Sequence, residues 1–274
     1  MTGGVGRIEV ARLHARRDIR LHREAIETPG RDDVLLQVTS VGLCGSDRHW
    51  FLEGGIGDAQ LSRPLVLGHE FTGVITNGDR TGERVVADPA DTCGDCELCR
   101  AGRSNLCRSI RFAGHGSVDG ALRSFMTWPS RLLHPLPDGV SDDEAALLEP
   151  LGVALHAVEL ARPASGDSAA VMGCGPIGLM LIALLRRAHV ASVVATDRRA
   201  HRVAAAAASG ADRAVRIDEG PRAAMEAMDG RVDVAFEVAG DDDALADALV
   251  AVRPGGRVVI VGIPRRHIRR TVCM

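Results

Sequence analysis

Residues 168–178 read SAAVMGCGPIG: a short apolar run, Ala169 to Met172, enters Gly173-Cys174-Gly175-Pro176-Ile177-Gly178 and then the apolar segment Ile177 to Arg187. A G-x-G-x-x-G between a buried strand and a helix is the turn of a dinucleotide-binding unit. Its glycines allow a tight turn, close approach of backbone to a pyrophosphate, and packing of helix on strand, while the helix start supplies free N–H groups and a positive dipole end. Asp197 closes the next strand, 22 residues after Gly175. A carboxylate there can accept hydrogen bonds from both ribose hydroxyls and repels a 2′-phosphate, so NAD is the expected cofactor and NADP the less favoured one. Arg198, Arg199 and Arg202 stand nearby; a contact to a 2′-phosphate and a solvated helix start are both open for them.

Working outward, β-branched runs at Ser192 to Thr196, Arg213 to Ile217, Val232 to Val238 and Arg257 to Gly262 alternate with helical stretches at Arg199 to Ser209, Pro221 to Met228 and Asp241 to Val252. Strands of this kind, without a polar face and separated by helices, predict an α/β domain with a parallel sheet covered on both sides. Residues 1–150 differ: short β-type runs such as Val34 to Val41 and Val85-Val86 lie between Gly, Pro and Asp, and predict an irregular all-β region. At the junction Ser141 precedes Asp142, Asp143 and Glu144, an N-cap and acidic first turn for a helical stretch to about Ala161, which Pro150 is expected to interrupt.

The chain has 274 residues, a net charge of −3 and 46% hydrophobic content, enough for two domains with proper cores. All 33 basic residues are Arg, and Tyr is absent. Arginine stays protonated, so Schiff-base and pyridoxal-phosphate chemistry, the Walker A lysine and carbonyl protonation by a Tyr–Lys pair are excluded. The mild acidity argues against nucleic acid as a partner. With no signal-peptide-like apolar stretch and no apolar run near the ~20 residues needed to cross a bilayer, a cytoplasmic protein without membrane contact is expected.

Of the seven cysteines, Cys93, Cys96, Cys99 and Cys107 fall within fifteen positions. Four thiolates at this spacing suit a tetrahedral Zn²⁺, and a site with no open coordination position is structural. A zinc-ribbon module for nucleic acid is disfavoured by Asp88, Asp91, Asp95 and Glu97 around it. A looser set, Cys44, then His69-Glu70, then Glu149, has the mixed character of a catalytic zinc site, although single residues of these types are as often core residues.

With GLCGSDRH at 42–49, GIGD at 55–58, PLVLGHE at 64–70, the four-Cys lobe, EPLGVALH at 149–156 and the GCGPIG loop with Asp197, the chain resembles the zinc-containing medium-chain alcohol dehydrogenases, closest to their sorbitol and polyol branch. The resemblance implies a GroES-like catalytic domain (1–150, with the structural-zinc lobe at 88–110) and a Rossmann domain (151–264). It implies two Zn²⁺ per chain, with Cys44, His69, Glu70 and Glu149 as ligands or near-ligands of the catalytic one, Asp47 orienting the ligating histidine, and Ser46 and His49 as the proton relay. Ile177, Asp197, Arg202, Val261, Gly262 and Ile263 would line the NAD site with Gly173, Gly175 and Gly178.

The implied reaction takes hydride from a secondary alcohol of a polyol or sugar acid to NAD⁺ and gives a ketone. The substrate proton would leave through Ser46, a cofactor ribose hydroxyl and His49. Threonine or butanediol dehydrogenase is the neighbouring alternative. Two departures stand out. The polyol branch has a Tyr-containing aromatic pair where this chain has Trp50-Phe51, and residues 265–274 do not resemble the family. The expectation is therefore a sheet lacking its last strand, a lost family oligomer contact, and an inactive zinc-stabilised fragment as the competing reading.

Overall fold

The computed structural model describes residues 6–217 and 231–263. The expected helix at 221–228 and the expected atypical tail at 265–274 lie outside the described residues. Contacts divide the chain into two compact units, Met1–Glu149 and Pro150–Met274.

In the first unit β1 (Arg7–Ala15) and β2 (Asp18–Ala25) form a hairpin. β3 (Asp33–Gly42) leads into α1 (Gly45–Glu53). A two-residue hairpin follows, β4 (Gly55–Ile56) with β5 (Ala59–Gln60), then β6 (Leu65–Val66), β7 (Glu70–Ile75) and β8 (Arg84–Ala87). The cysteine lobe carries β9 (Ala90–Asp91), the single-turn α2 (Glu97–Arg100) and β10 (Arg111–Phe112). β11 (Phe125–Pro129) and β12 (Leu133–Pro135) complete an antiparallel five-stranded sheet ordered β11-β3-β7-β8-β12, over a core that includes Leu36, Phe71, Ile75, Val85, Met126 and Trp128. The region is mainly β, as expected, but α1 departs from the all-β reading. Its outward residues are polar and it buries little besides Asp47 and Trp50, so it lacks the apolar stripe by which a helix announces itself.

α3 (Asp142–Ala146) starts where the sequence places it. Ser141 Oγ accepts the Glu144 N–H at 3.3 Å, and Glu144 Oε2 accepts the Ser141 N–H at 2.9 Å, a reciprocal cap. The break before α4 (Leu148–Ala161) falls at Leu147 rather than at Pro150. Pro150 occupies the first turn of α4, where a missing N–H costs nothing because no intrahelical acceptor precedes it.

The second unit has β13 (Ser168–Met172), α5 (Pro176–Arg187), β14 (Ser192–Asp197), α6 (Ala200–Ala208), β15 (Arg213–Arg216), β16 (Val232–Glu237), α7 (Asp242–Ala251) and β17 (Val252–Ile260). Its sheet is parallel and ordered β15-β14-β13-β16-β17. Alternate residues of β13 feed opposite faces: Ala169 and Val171 join a core with Leu181, Ile182 and Phe236, while Ala170 and Met172 join one with Ala235, Ala248 and Ala251. Burial on both faces is why these strands read as continuous apolar runs. β17 begins earlier than the sequence predicts. Val252 pairs with Val232, a register shift absorbs the following residues, and regular pairing resumes from Arg257 opposite Val234 to Ile260 opposite Glu237.

The order in unit two places β13, its first strand in the chain, between β14 and β16, so the chain reverses its direction across the sheet there. Ligands of open α/β sheets lie outside the carboxyl ends of strands at such a reversal. The turn that follows β13 is held by close backbone approach: a β-carbon at Gly178 would collide with the Gly173 carbonyl oxygen, and one at Gly173, whose φ is +108°, would lie 2.9 Å from the Ala239 nitrogen. Gly178→Ala is therefore expected to destabilise the chain by about 1–3 kcal/mol through overpacking, read as a lower thermal midpoint.

Candidate functional site

Two clusters of metal-ligating side chains occur among the described residues, both in the first unit. In the lobe, the sulfur–sulfur distances are 3.5 Å for Cys96–Cys99 and Cys93–Cys107, and 4.0 Å for Cys93–Cys99 and Cys96–Cys107. Disulfides need about 2.05 Å. A tetrahedron with metal–sulfur bonds near 2.3 Å has edges of about 3.8 Å, so the four thiols fit one zinc ion. The thiols also differ in acidity. Backbone and side-chain hydrogen bonds from Cys99 bring Cys96 down to about 6, whereas desolvation, with the neighbouring thiols, pushes Cys99 up to about 12.

The second cluster is Cys44, His69 and Glu70, whose ligand atoms all lie within 4.8 Å of one another. Two chain segments build it. Cys44 is the N-cap residue of α1, His69 ends the loop before β7, and Glu70 opens that strand opposite Gly42. A β-carbon at Gly42 would occupy the place of the Glu70 carboxylate, so the glycine makes room for the acid. Asp47 ties the segments together. Its Oδ2 accepts the Cys44 N–H at 3.0 Å, its Oδ1 accepts the Gly68 N–H at 3.2 Å, and Oδ1 lies 3.6 Å from His69 Nδ1. Asp47 is 4% exposed, and His69 and Glu70 are 6% exposed.

Burial alone would lower the His69 pKa, but hydrogen bonds with Asp47 and Cys44 and their charges overcome it and raise it to about 10. Glu70 is pushed up by burial, against the opposing pull of His69. This is a site crowded with groups that want a cation. Glu149 stands outside the three-residue cluster but belongs to the same field: burial pushes it up to about 7, His69 opposes, and the charges of Glu70, Asp88 and Asp47 add to the rise. A thiol, an imidazole and a carboxylate form a donor set that suits zinc and that can leave one position open.

Ser46 Oγ lies 3.4 Å from His69 Nε2. His49, three residues on and so on the same side of α1, has Nδ1 3.1 Å from Glu53 Oε1. Glu53 is a partner missed in the sequence, although its i,i+4 spacing from His49 was a readable signal. Phe112 and His115 are further neighbours found only in space: the Phe112 ring lies 5.3 Å from that of His69, and His115 stands edge-on to buried Trp50 at 5.3 Å. Desolvation, with the nearby His69, holds the His115 pKa down.

The second unit holds a cavity of about 350 Å³ at the ends of β13, β14 and β16, bordered by Gly173, Gly175, Asp197 and Arg202. Gly175 caps α5, Pro176 takes its first position, and a β-carbon at Gly175 would meet nothing closer than Arg202 Nη1 at 3.8 Å. The space in front of the helix N-terminus is thus open for a phosphate. Asp197 Oδ2 accepts the Cys174 N–H at 2.9 Å and Oδ1 accepts the Arg199 N–H at 2.8 Å. Each carboxylate oxygen retains a lone pair for a ribose hydroxyl. Ile177, Gly178, Val261, Gly262 and Ile263 are not among the residues bordering this cavity. Gly178 packs α5 on β13, Val261 and Gly262 both donate their N–H to the Glu237 carbonyl at 2.8 and 3.0 Å, and Ile263 passes against Gly240. Cys174 is a buried thiol pushed up to about 12 by desolvation and the Asp197 charge.

The cavity wall contributed by α7 is acidic, which the motif did not reveal: Asp241, Asp243 and Asp247 border it. Among the described residues, Asp247 Oδ1 is buried without a hydrogen-bond partner, and desolvation together with the charges of Asp243 and Asp241 raises its pKa.

Comparison with known proteins gives a consistent set of relatives. Residues 30–138 match the alcohol dehydrogenase GroES-like domain and residues 176–272 the zinc-binding dehydrogenase domain. The chain is 36% identical over 271 residues to sorbitol dehydrogenase of Bacillus subtilis (strain 168), covering 95% of this chain and 76% of that one. L-Idonate 5-dehydrogenase from Escherichia coli K-12 superposes with a TM-score of 0.88 at 27% identity, covering 96% of this chain and 78% of that one. An alcohol dehydrogenase from Escherichia coli CFT073 complexed with NADH superposes at 0.83 with 28% identity, covering 93% and 76%. Among the described residues no helix is long and apolar enough to cross a membrane.

A raised carboxyl pKa in the folded state means that ionising Asp247 costs stability. That cost is absent below the unfolded pKa and grows as pH rises toward the folded one. Asp247→Asn should therefore have a higher thermal midpoint than wild type at pH 8, and the gap should close as the pH falls toward 4.

Proposed function

The chain belongs to the zinc-containing medium-chain alcohol dehydrogenase family, on its sorbitol and polyol branch, and from that membership we propose that it oxidises a secondary alcohol of a polyol or sugar acid to a ketone, with hydride transfer to NAD⁺. The observation that carries this reading is the convergence of Cys44, His69 and Glu70 on one point, with Ser46 beside them. The name of the Bacillus relative, and that of the L-idonate enzyme, support a polyhydroxylated substrate.

Cys44 and His69 would hold the catalytic zinc, with Glu70 and Glu149 as its acidic partners, and Cys93, Cys96, Cys99 and Cys107 would hold the structural one. When bound, the catalytic zinc supplies Lewis-acid chemistry that makes a substrate hydroxyl acidic near neutral pH. Asp47 fixes the His69 ring through its Nδ1 side, leaving Nε2 on the side of Ser46. Ser46 accepts the substrate hydroxyl proton and passes it toward His49, whose ring Glu53 holds in place. In the second unit the α5 N-terminus and Gly175 would hold the pyrophosphate, and Asp197 the ribose. The balance is one alcohol and one NAD⁺ to one ketone, one NADH and one proton. The domain organisation this requires is a catalytic region at 1–150 and a cofactor region at 151–264.

The test is NADH formation at 340 nm with sorbitol, xylitol and L-idonate. Turnover is expected with at least one of them, lost on chelation. Ser46→Ala should lower kcat by about 10²-fold or more at little changed KM. Retention of zinc with no NADH formed from any polyol or sugar acid would overturn the reading in favour of a zinc-stabilised chain without this activity.

A further inference from the structure

Resting on the NAD reading above, we infer that Asp243 and Asp241, at the start of α7, determine cofactor choice by holding Arg198 away from the position of a ribose 2′-phosphate. Three arginines, Arg198, Arg199 and Arg202, border the cavity beside Asp197. Guanidinium groups clustered at a ribose are the chemistry that grips a phosphate dianion in bidentate fashion, so sequence charge alone would leave NADP well served here. The geometry disposes two of them otherwise. Arg198 Nη2 donates to Asp243 Oδ2 at 2.8 Å and lies 3.8 Å from Asp241 Oδ2. Arg202 Nη1 lies 3.6 Å from Asp197 Oδ2.

Of the two carboxylates beside Arg198, Asp241 is fixed by the helix start. Asp241 is the N-cap of α7, and its Oδ1 accepts the Ala244 N–H at 2.8 Å. Asp243 lies in the first turn, where the helix dipole favours negative charge. One turn further on, Asp247 is 4% exposed, borders the same cavity and has an unpartnered Oδ1, so the wall facing the cofactor is acidic to its buried end. A 2′-phosphate entering here would have to draw Arg198 from Asp243 and then lie beside two uncovered carboxylates. A ribose with a free 2′-hydroxyl does neither. The Arg198–Asp243 pair is solvent-exposed, with side chains 64% and 69% accessible, so it contributes little to stability and its removal leaves the fold intact.

The experiment measures dissociation constants for NADH and NADPH by fluorescence titration, with AMP and adenosine 2′,5′-bisphosphate as competing fragments that need neither zinc nor turnover. Asn still caps a helix, so Asp241→Asn/Asp243→Asn is a mild pair of changes. The double variant should shift the NADPH-to-NADH ratio of dissociation constants by about three- to fivefold toward NADPH, the size of one released exposed ion pair, and the fragments should follow. Adding Arg198→Ala should erase the shift. An unmoved ratio overturns the inference, as does a shift that survives Arg198→Ala, which would be a general field effect. Failure of wild type to bind NADH at all is a different result: it removes the dinucleotide reading on which the inference stands.

Discussion

The inner cluster of the first unit is tied together by one buried carboxylate. Asp47 accepts hydrogen bonds from the Cys44 and Gly68 backbones and faces His69 Nδ1, so it joins the start of α1 to the loop before β7. Those two segments deliver all three members of the inner cluster. A buried charge is costly unless it is hydrogen-bonded and paired, and Asp47 meets both conditions while orienting the imidazole. The surrounding backbone is adapted to this arrangement. Gly68, at φ +93°, takes a conformation that a side chain would strain, and Gly42 yields its side-chain volume to Glu70.

The second unit solves its own problem by different means. The Gly173–Gly178 turn uses the absence of side chains to bring backbone close to backbone and to leave space before α5, while Asp197 is steered by two main-chain N–H groups with Arg202 beside it. The metal clusters gather charge, and the dinucleotide turn clears room for it. The lobe is a third case. It has almost no core of its own, and its four thiols stand at the edge lengths of one tetrahedral ion, so a metal held there would be coupled to local folding.

The parallel sheet was legible because burial on both faces leaves uninterrupted apolar runs, and the cysteine lobe because its ligands lie within fifteen positions. The rest required space. Helix α1 has no apolar stripe to detect, and Pro150 reads as a breaker although the first turn of a helix tolerates it. The early start of β17 depends on a register shift that no local pattern encodes. Cys44, His69 and Glu70 read in the sequence only as a loose set of zinc-ligand types that the family resemblance strengthens, and their mutual distance is a product of β3–β7 pairing and the Asp47 bridge. The acidic wall from α7 was invisible because Asp241 and Asp243 read as ordinary helix-start residues, and only the parallel order β14-β13-β16 brings them opposite Arg198.

We propose that Cys44, His69 and Glu70 form a metal site separate from the four-cysteine lobe. The zinc content of the purified chain, by elemental analysis after exhaustive dialysis, tests it most directly. Two equivalents per chain are predicted, falling to one in Cys44→Ser while the lobe keeps its own. A wild-type chain with a single equivalent that Cys44→Ser leaves unchanged would contradict it.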